Sequence, residues 1–416
     1  MNNNQNKNYF AIGIMFALFF MIAFVTGLPS PMGVIVAKQF GASALQSQLG
    51  FFANFIAYAF MGIPAGIMLK RIGYKMTSLA AVTVGFVGVG VQYLSGVAGS
   101  FTVYLLGAFI CGFSVCMLNT VVNPMLNTLG GGGNRGNQLI QFGGVCNSVG
   151  ATIVPYLVGY LMGAEAGRTI EKANPALFIA MGIFAVAFII LAVSKIPEPH
   201  MEKRDASKPR QKDQYGPMSF RHFVLGAIAI FIYVGIEIGL PSTANLYMTQ
   251  HLAIDATIAG SIVSMYWLFM LVGRLIGAPL AAKVSSKKML TFVSILGLVF
   301  VTAAIFMPET LVVTFRGASV PVSVVFIILC GLCTSVMWGG IFNLAVEGLG
   351  KYTAAASGIF MVLVCGGGII PTLQGWVADM SGYLASYWVQ FACLGYLLYY
   401  ALSGCRNVNT DIPVEE

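Results

Sequence analysis

Residues 231–245 read FIYVGIEIGLPSTAN and lie inside an apolar run that begins near Phe223. Within it Glu237 is a carboxylate with many apolar residues on both sides. A charge at such depth in a bilayer costs about 2.5–3.5 kcal/mol on insertion scales, so it belongs in a bundle interior or a wet cavity. Tyr233 stands four residues earlier, one helical turn away on the same face. Pro241 stands four residues later; it removes a backbone donor and frees a carbonyl, so the helix is expected to kink or break there. Broken helices at membrane depth are tolerated where they line a cavity.

Working outward, 58% of the 416 residues are hydrophobic and 9% charged, with a mean hydropathy of +0.84. Soluble domains carry roughly a quarter charged residues, so this is a polytopic membrane protein. Each span needs about 20 apolar residues, and twelve such runs occur: 9–37, 46–69, 77–96, 101–128, 138–163, 175–195, 222–249, 256–282, 289–308, 320–346, 352–379 and 383–404. The expected fold is an all-α membrane protein of twelve transmembrane helices with both termini on one side. Taking that side as cytoplasmic, 17 of the 22 Lys and Arg residues fall there, against Lys38, Arg168, Lys172 and Arg316 outside and Arg274 within a span. The positive-inside rule accounts for the bias, so the net charge of +8 implies no nucleic-acid partner. Residues 1–8 are polar and no small-residue cleavage pattern follows, which reads as an anchor helix in the cytoplasmic (inner) membrane.

The longest polar stretch, Ile196 to Ser219, separates two six-helix halves, residues 1–195 and 220–416, as a cytoplasmic linker over 196–219. The halves repeat one another: Gly27-Leu28-Pro29-Ser30 returns as Gly239-Leu240-Pro241-Ser242, Cys111-Gly112 as Cys330-Gly331, and Pro155 with Gly159 as Pro371 with Gly375. Duplication with Pro29 and Pro241 at matching places points to a central site between the halves, with both prolines as gating elements.

Span 4 carries Asn119, Asn123 and Asn127 at i, i+4, i+8, a polar stripe about 12 Å long. Amides donate and accept without buried charge, which suits a neutral polyhydroxylated ligand; helix-to-helix bonding is the alternative. Span 5 adds Gln138, Gln141 and Asn147, span 8 Tyr266, Trp267 and Arg274, span 10 Thr334, Trp338 and Asn343, and span 11 Gln374. Aromatic faces stack on sugar rings while amides bind hydroxyls. For Glu237 three roles stay open: a cation-coupling carboxylate, a sugar-hydroxyl acceptor, or half of an ion pair with Arg274, itself a gating candidate.

The eight Cys residues lie in or at the ends of apolar runs and read as small core residues; Cys330 and Cys333 have no second pair or His beside them, against a redox or zinc site. The Gly130–Gly133 run lacks the Lys-Ser/Thr of a phosphate loop and reads as a turn. No catalytic set, cofactor site or metal cluster appears, so the chain is expected not to be an enzyme.

Twelve spans, a duplicated half and a central basic loop resemble the major facilitator superfamily. NPMLNTLG (123–130), CNSVGATIVP (146–155), YVGIEIG (233–239), YWLFMLVGRLIG (266–277) and the 335–371 region resemble its fucose, glucose and galactose symporter family. The resemblance implies alternating-access uptake of a monosaccharide coupled to a proton or sodium, by a monomer. Fucose:proton symporters of that family carry carboxylates in spans 1 and 4, where Ser30 and Asn119 stand here; Glu237 matches the acidic residue of the glucose and galactose branch. Lys70 stands where the wider superfamily prefers Asp in the loop after span 2. An uncoupled sugar uniporter and an exporter of drugs or metabolites are the alternatives.

Overall fold

A computed structural model describes residues 2–129, 133–162, 173–196, 198, 215–281, 284–349, 352–409 and 411–414. Lipid offers no hydrogen-bond partners, so each apolar run satisfies its own backbone as a helix. The order is α1 (Asn2–Gly27), α2 (Pro29–Phe40), α3 (Ala44–Ala98), α4 (Phe101–Leu129), α5 (Gly133–Met162), α6 (Asn174–Val193) and α7 (Arg221–Leu246), then α8 (Ala256–Ala281) and α9 (Ser286–Phe306). A hairpin of β1 (Val312–Phe315) and β2 (Ala318–Pro321) precedes α10 (Val322–Thr334), α11 (Met337–Val346), α12 (Thr353–Leu363), α13 (Gly366–Ser381) and α14 (Tyr383–Tyr399). α1 with α2, α10 with α11, and α12 with α13 each share one pass, while α3 contributes two, interrupted at Gly73 with φ 81°. That order makes the twelve passes of an all-α membrane protein. Among the described residues ten stretches are long and apolar enough to cross a bilayer, and Phe142–Val158 within α5 is a shorter apolar helix. The Gly130–Gly132 part of the glycine run and most of the linker lie outside the described residues.

Local chemistry explains the joints. Pro29 opens α2, where its missing N–H costs nothing. At Gly73 the chain turns, and Glu198 accepts from the amides of Tyr74 (2.6 Å) and Lys75 (2.9 Å), supplying an anion to the new helix start. Lys75 Nζ in turn donates to the carbonyls of Ala192 (2.7 Å) and Ser194 (2.8 Å), closing the end of α6.

The break expected at Pro241 is absent: α7 runs through the proline without interruption. Beside the proline, Tyr387 Oη donates to the Leu240 carbonyl at 3.1 Å. Besides the one at Leu28, between α1 and α2 and next to Pro29, two interruptions lie at Ser335–Val336, between α10 and α11, and at Val364–Cys365, between α12 and α13. After the second, Gly366–Gly368 carry α13 against the backbone of Phe231 on α7 and of Phe52 on α3; a side chain at Gly368 would meet the Phe52 Cα at 2.8 Å. Gly375, farther along α13, approaches the Ala44 carbonyl of α3 as closely, so glycines bring α13 against the first half at two levels. The hairpin, an unanticipated addition between the ninth and tenth passes, turns at Arg316-Gly317 with φ of 48° and 83°, the combination a tight two-residue turn demands.

On the hairpin side the halves are tied together. Asp379, near the end of α13, accepts from the amides of Ala44 (2.7 Å) and Leu45 (3.0 Å) at the start of α3. Gln48 Nε2 donates to Ser242 Oγ (3.2 Å) and Thr243 Oγ1 (3.3 Å) on α7. The Arg316 guanidinium sits 6.0 Å from the Tyr156 ring centre, a cation–π contact between hairpin and α5. Replacing Asp379 by Ala should therefore free the first amides of α3, raising their hydrogen-exchange rates about tenfold, as loss of a charge-assisted hydrogen bond implies. Mass-spectrometric exchange over residues 41–50 reads this directly, and unchanged rates would show that Asp379 does not hold the two halves.

Candidate functional site

Between the halves lies a cavity of about 290 Å³, at the lower end of small-molecule pockets. α1, α3, α4 and α5 line it from one side, and α7, α8, α9, α11 and α12 from the other. The interruption at Ser335–Val336 and the last residue before the second one, Val364, open onto it, as does Gly27 at the end of α1.

Among the described residues the first half contributes three amides, Asn119 and Asn123 from α4 and Asn147 from α5. Asn119 Nδ2 donates to Tyr58 Oη (2.8 Å), Asn123 Nδ2 to the Asn119 carbonyl (2.9 Å), and Asn147 Nδ2 to the Phe19 carbonyl (3.3 Å). A backbone carbonyl only accepts, so at Asn123 and Asn147 the nitrogen end is the one held by the wall. An amide has two donors and two lone pairs. With one donor committed and the oxygens accepting nothing among the described residues, this wall is richer in acceptors than donors. It suits a ligand that presents O–H groups.

The second half contributes charge and aromatic surface. Glu237 on α7 and Arg274 on α8 have side chains each 16% exposed, with Arg274 Nη2 3.6 Å from Glu237 Oε1. That is an ion pair beyond ordinary hydrogen-bond length. The short contacts of Arg274 cross to the other half, where Nη1 donates to the Gly144 carbonyl (2.8 Å) and Ser148 Oγ (2.6 Å) on α5. Tyr233, fully buried one turn before Glu237, lies in the field of both charges, yet its hydroxyl makes no hydrogen bond of ordinary geometry. Its ring meets Trp338 edge-on at 6.1 Å, and Trp267 packs edge-on against Tyr266 at 5.3 Å. Thr26 Oγ1 also lines the cavity, buried and unpartnered. Buried hydroxyls left unpaired cost about 1–3 kcal/mol each, a deficit that a polar occupant would relieve.

Of the residues singled out from sequence, Asn119, Asn123, Asn147, Tyr233, Glu237, Trp267, Trp338, Asn343, Arg274 and Pro241 all line this cavity. The side chains of Asn127 and Gln141 lie outside the described residues. Gln374 does not reach the cavity: it is wholly buried behind α7, accepting from Gln390 Nε2 (2.6 Å) and donating to Ser386 Oγ (3.4 Å). Its helix turns that face to α14 rather than to the seam. Tyr266 and Thr334 bond one another (3.0 Å) in the core, and Pro29 stays buried outside the lining. Sequence reasoning missed Tyr58, Thr26 and Ser148. Ser148 follows Asn147 within the quoted CNSVG motif, the one signal that pointed to it.

Comparison with known proteins bears on what this cavity serves. The family model described as Major Facilitator Superfamily matches residues 14–372. A glucose/galactose transporter of Brucella abortus (strain 2308) is 28% identical over 411 residues, covering 97% of this chain and 96% of its own. A putative glucose/galactose transporter of Helicobacter pylori (strain ATCC 700392 / 26695) is 29% identical over 420 residues, covering 97% and 98%. Among solved structures, the E. coli fucose:proton symporter FucP matches with a TM-score of 0.68 at 20% identity, covering 95% of this chain and 98% of that one, a likeness of fold.

Removing one partner of a partly buried ion pair strands the other. Glu237→Leu should lower thermal stability of the purified protein by about 2 kcal/mol, whereas Glu237→Gln, which keeps a hydrogen-bonding oxygen, should lose less. Thermal unfolding in detergent distinguishes them; equal stability of wild type and Glu237→Leu would mean that the pair contributes nothing to the fold.

Proposed function

The chain belongs to the major facilitator superfamily, and on that premise we propose that it takes up a monosaccharide, a hexose or deoxyhexose, by alternating access in symport with a cation. One observation carries the reading. The cavity between the halves joins an acceptor-rich amide wall to two Trp rings and a single carboxylate, Glu237. Amides and aromatic faces suit sugar hydroxyls and ring carbons respectively. The relatives named glucose/galactose transporters, matched over almost their whole length, support the same substrate class.

Glu237 is the proposed coupling site, for a proton or sodium, and Asn119, Asn123, Asn147, Tyr233, Trp267, Trp338 and Asn343 the proposed sugar contacts. Asn127 and Gln141 are carried with them on their place in sequence. Basic residues cluster on the side of the linker, so we assign that face and both termini to the cytoplasm of a cell whose inner membrane holds the protein, as a monomer. The hairpin side, closed by Asp379 and Gln48, then faces outward, and the cavity reaches toward the cytoplasm past Ser286, Met289 and Asn343. A sugar uniporter is the second reading, favoured by the 3.6 Å approach of Arg274 to Glu237, which would make that carboxylate structural.

Reconstitution in liposomes separates the two. Under a proton gradient, a sodium gradient or neither, one gradient should drive concentrative uptake of a radiolabelled hexose. Glu237→Gln should abolish accumulation while sparing counterflow, and Asn123→Ala should raise the half-saturation concentration about five- to tenfold, the loss of one neutral hydrogen bond. Equal, non-concentrative entry under all three conditions would favour the uniporter; full uptake by Asn123→Ala would remove the amide wall from sugar binding.

A further inference from the structure

Arg274 makes its two kinds of contact to different halves of the molecule. Its Nη1 bonds, at 2.8 Å to the Gly144 carbonyl and 2.6 Å to Ser148 Oγ, reach α5 of the first half. Its Nη2 approaches Glu237 of the second half only to 3.6 Å. The guanidinium is therefore seated on α5 by hydrogen bonds and held to Glu237 by charge. Both sites lie toward the linker end of their helices, Arg274 seven residues before the end of α8 at Ala281 and Gly144 eleven after the start of α5 at Gly133. Parting of α5 from α8 on that side must break the short bonds. Arg is suited to such a role because its planar fork of donors serves two acceptor sets at once.

We propose that Arg274 is the positioning residue through which the charge on Glu237 controls the seam between α5 and α8. This rests on the assignment of Glu237 as the coupling carboxylate. An ionised Glu237 competes for the guanidinium and loosens its hold on α5. A Glu237 neutralised by its cation gives up that competition, and Arg274 settles wholly on Gly144 and Ser148, locking the linker side. A carrier loaded with ion alone is then held shut there, which suppresses ion leak. A bound sugar hydroxyl that accepts from Arg274 supplies the guanidinium with another partner in place of Gly144 and Ser148 and lets the seam part. A ligand shifts such an equilibrium only through differential contacts, and these are the contacts that differ.

Two measurements on the full-length protein test this. Hydrogen exchange in nanodiscs, read over the linker ends of α5 and α8, should slow at least about threefold in Glu237→Gln, the neutral mimic, and return to wild-type rates or faster when Ser148→Ala is added. In liposomes without sugar, Ser148→Ala should raise leak of the coupling ion about threefold or more while sugar counterflow persists, showing that the variant is folded; about 0.6 kcal/mol lost from the seam suffices for that change. Arg274→Lys, a point charge that cannot bridge both sides, should leak likewise. Unchanged or faster exchange in Glu237→Gln, or an ion leak insensitive to Ser148→Ala, overturns the role of Arg274 even if accumulation depends on Glu237. Undiminished accumulation by Glu237→Gln overturns instead the coupling assignment, and with it the link to transport, whatever exchange shows.

Discussion

A carboxylate and a guanidinium at the seam of an apolar bundle set the terms for the rest of this molecule. Neither Glu237 nor Arg274 could be left alone among side chains such as Ile236, Ile238 and Met270, because desolvating one unpaired charge costs several kcal/mol. Pairing them relieves that cost only in part, since at 3.6 Å the two make an ion pair and no hydrogen bond. Arg274 Nη1 spends both its donors on α5, so the charge in one half obliges contact with the other. The cavity is thus shaped by the electrostatics: polar groups that must be solvated are gathered where the halves meet, within one apolar core that runs through both.

Motion follows from how unlike the two ends of that seam are. On the hairpin side a carboxylate caps a helix start, an amide side chain bridges two hydroxyls, and α13 touches α3 backbone to backbone through its glycines. Capping a helix N-terminus with an anion adds a favourable dipole contribution to the hydrogen bonds themselves. On the linker side the described cross-half polar contacts centre on the single residue Arg274. Few discrete, directional bonds at each end allow one set to break as the other forms, which is what a two-state rocking element requires. The β hairpin adds Arg316 over Tyr156 to the same outer cluster.

Much of this was legible in the residues alone. The spacing of apolar runs, the placement of Lys and Arg, and the isolation of Glu237 led to the membrane fold and to the region of the site, because lipid makes burial a one-dimensional property of a helix. Asn119 and Asn123, four residues apart, share a face whatever the tertiary packing, and both line the cavity. At Pro241 the helix does not break: proline removes one hydrogen bond, yet α7 continues through it, because the packing of neighbouring helices and not the missing bond decides whether a helix parts. Gln374 misled for the same reason, since its partners Gln390 and Ser386 lie on the next helix and no periodicity within α13 indicates which neighbour it faces. Ser148 and Asp379 matter through contacts to the opposite half, and long-range pairings of that kind leave no local signature.

The division of labour between the halves carries one further consequence. The amides of Asn123 and Asn147 are each anchored by the first half's own backbone, so their orientation survives whether or not the second half is near. Tyr233, Trp338 and Glu237 are likewise positioned within the second half, Tyr233 and Trp338 by their mutual ring contact and Tyr233 and Glu237 by their place on one helix. Each half therefore keeps a preformed part of the cavity wall, and the cost of ordering side chains is not incurred anew at every closure. Arg274 differs from these, because its hydrogen bonds are to the other half and its charge is to its own. A lining residue whose partners must change when the halves part is thus also the one that approaches the buried carboxylate, so rearrangement at the seam and charge at the site cannot vary independently.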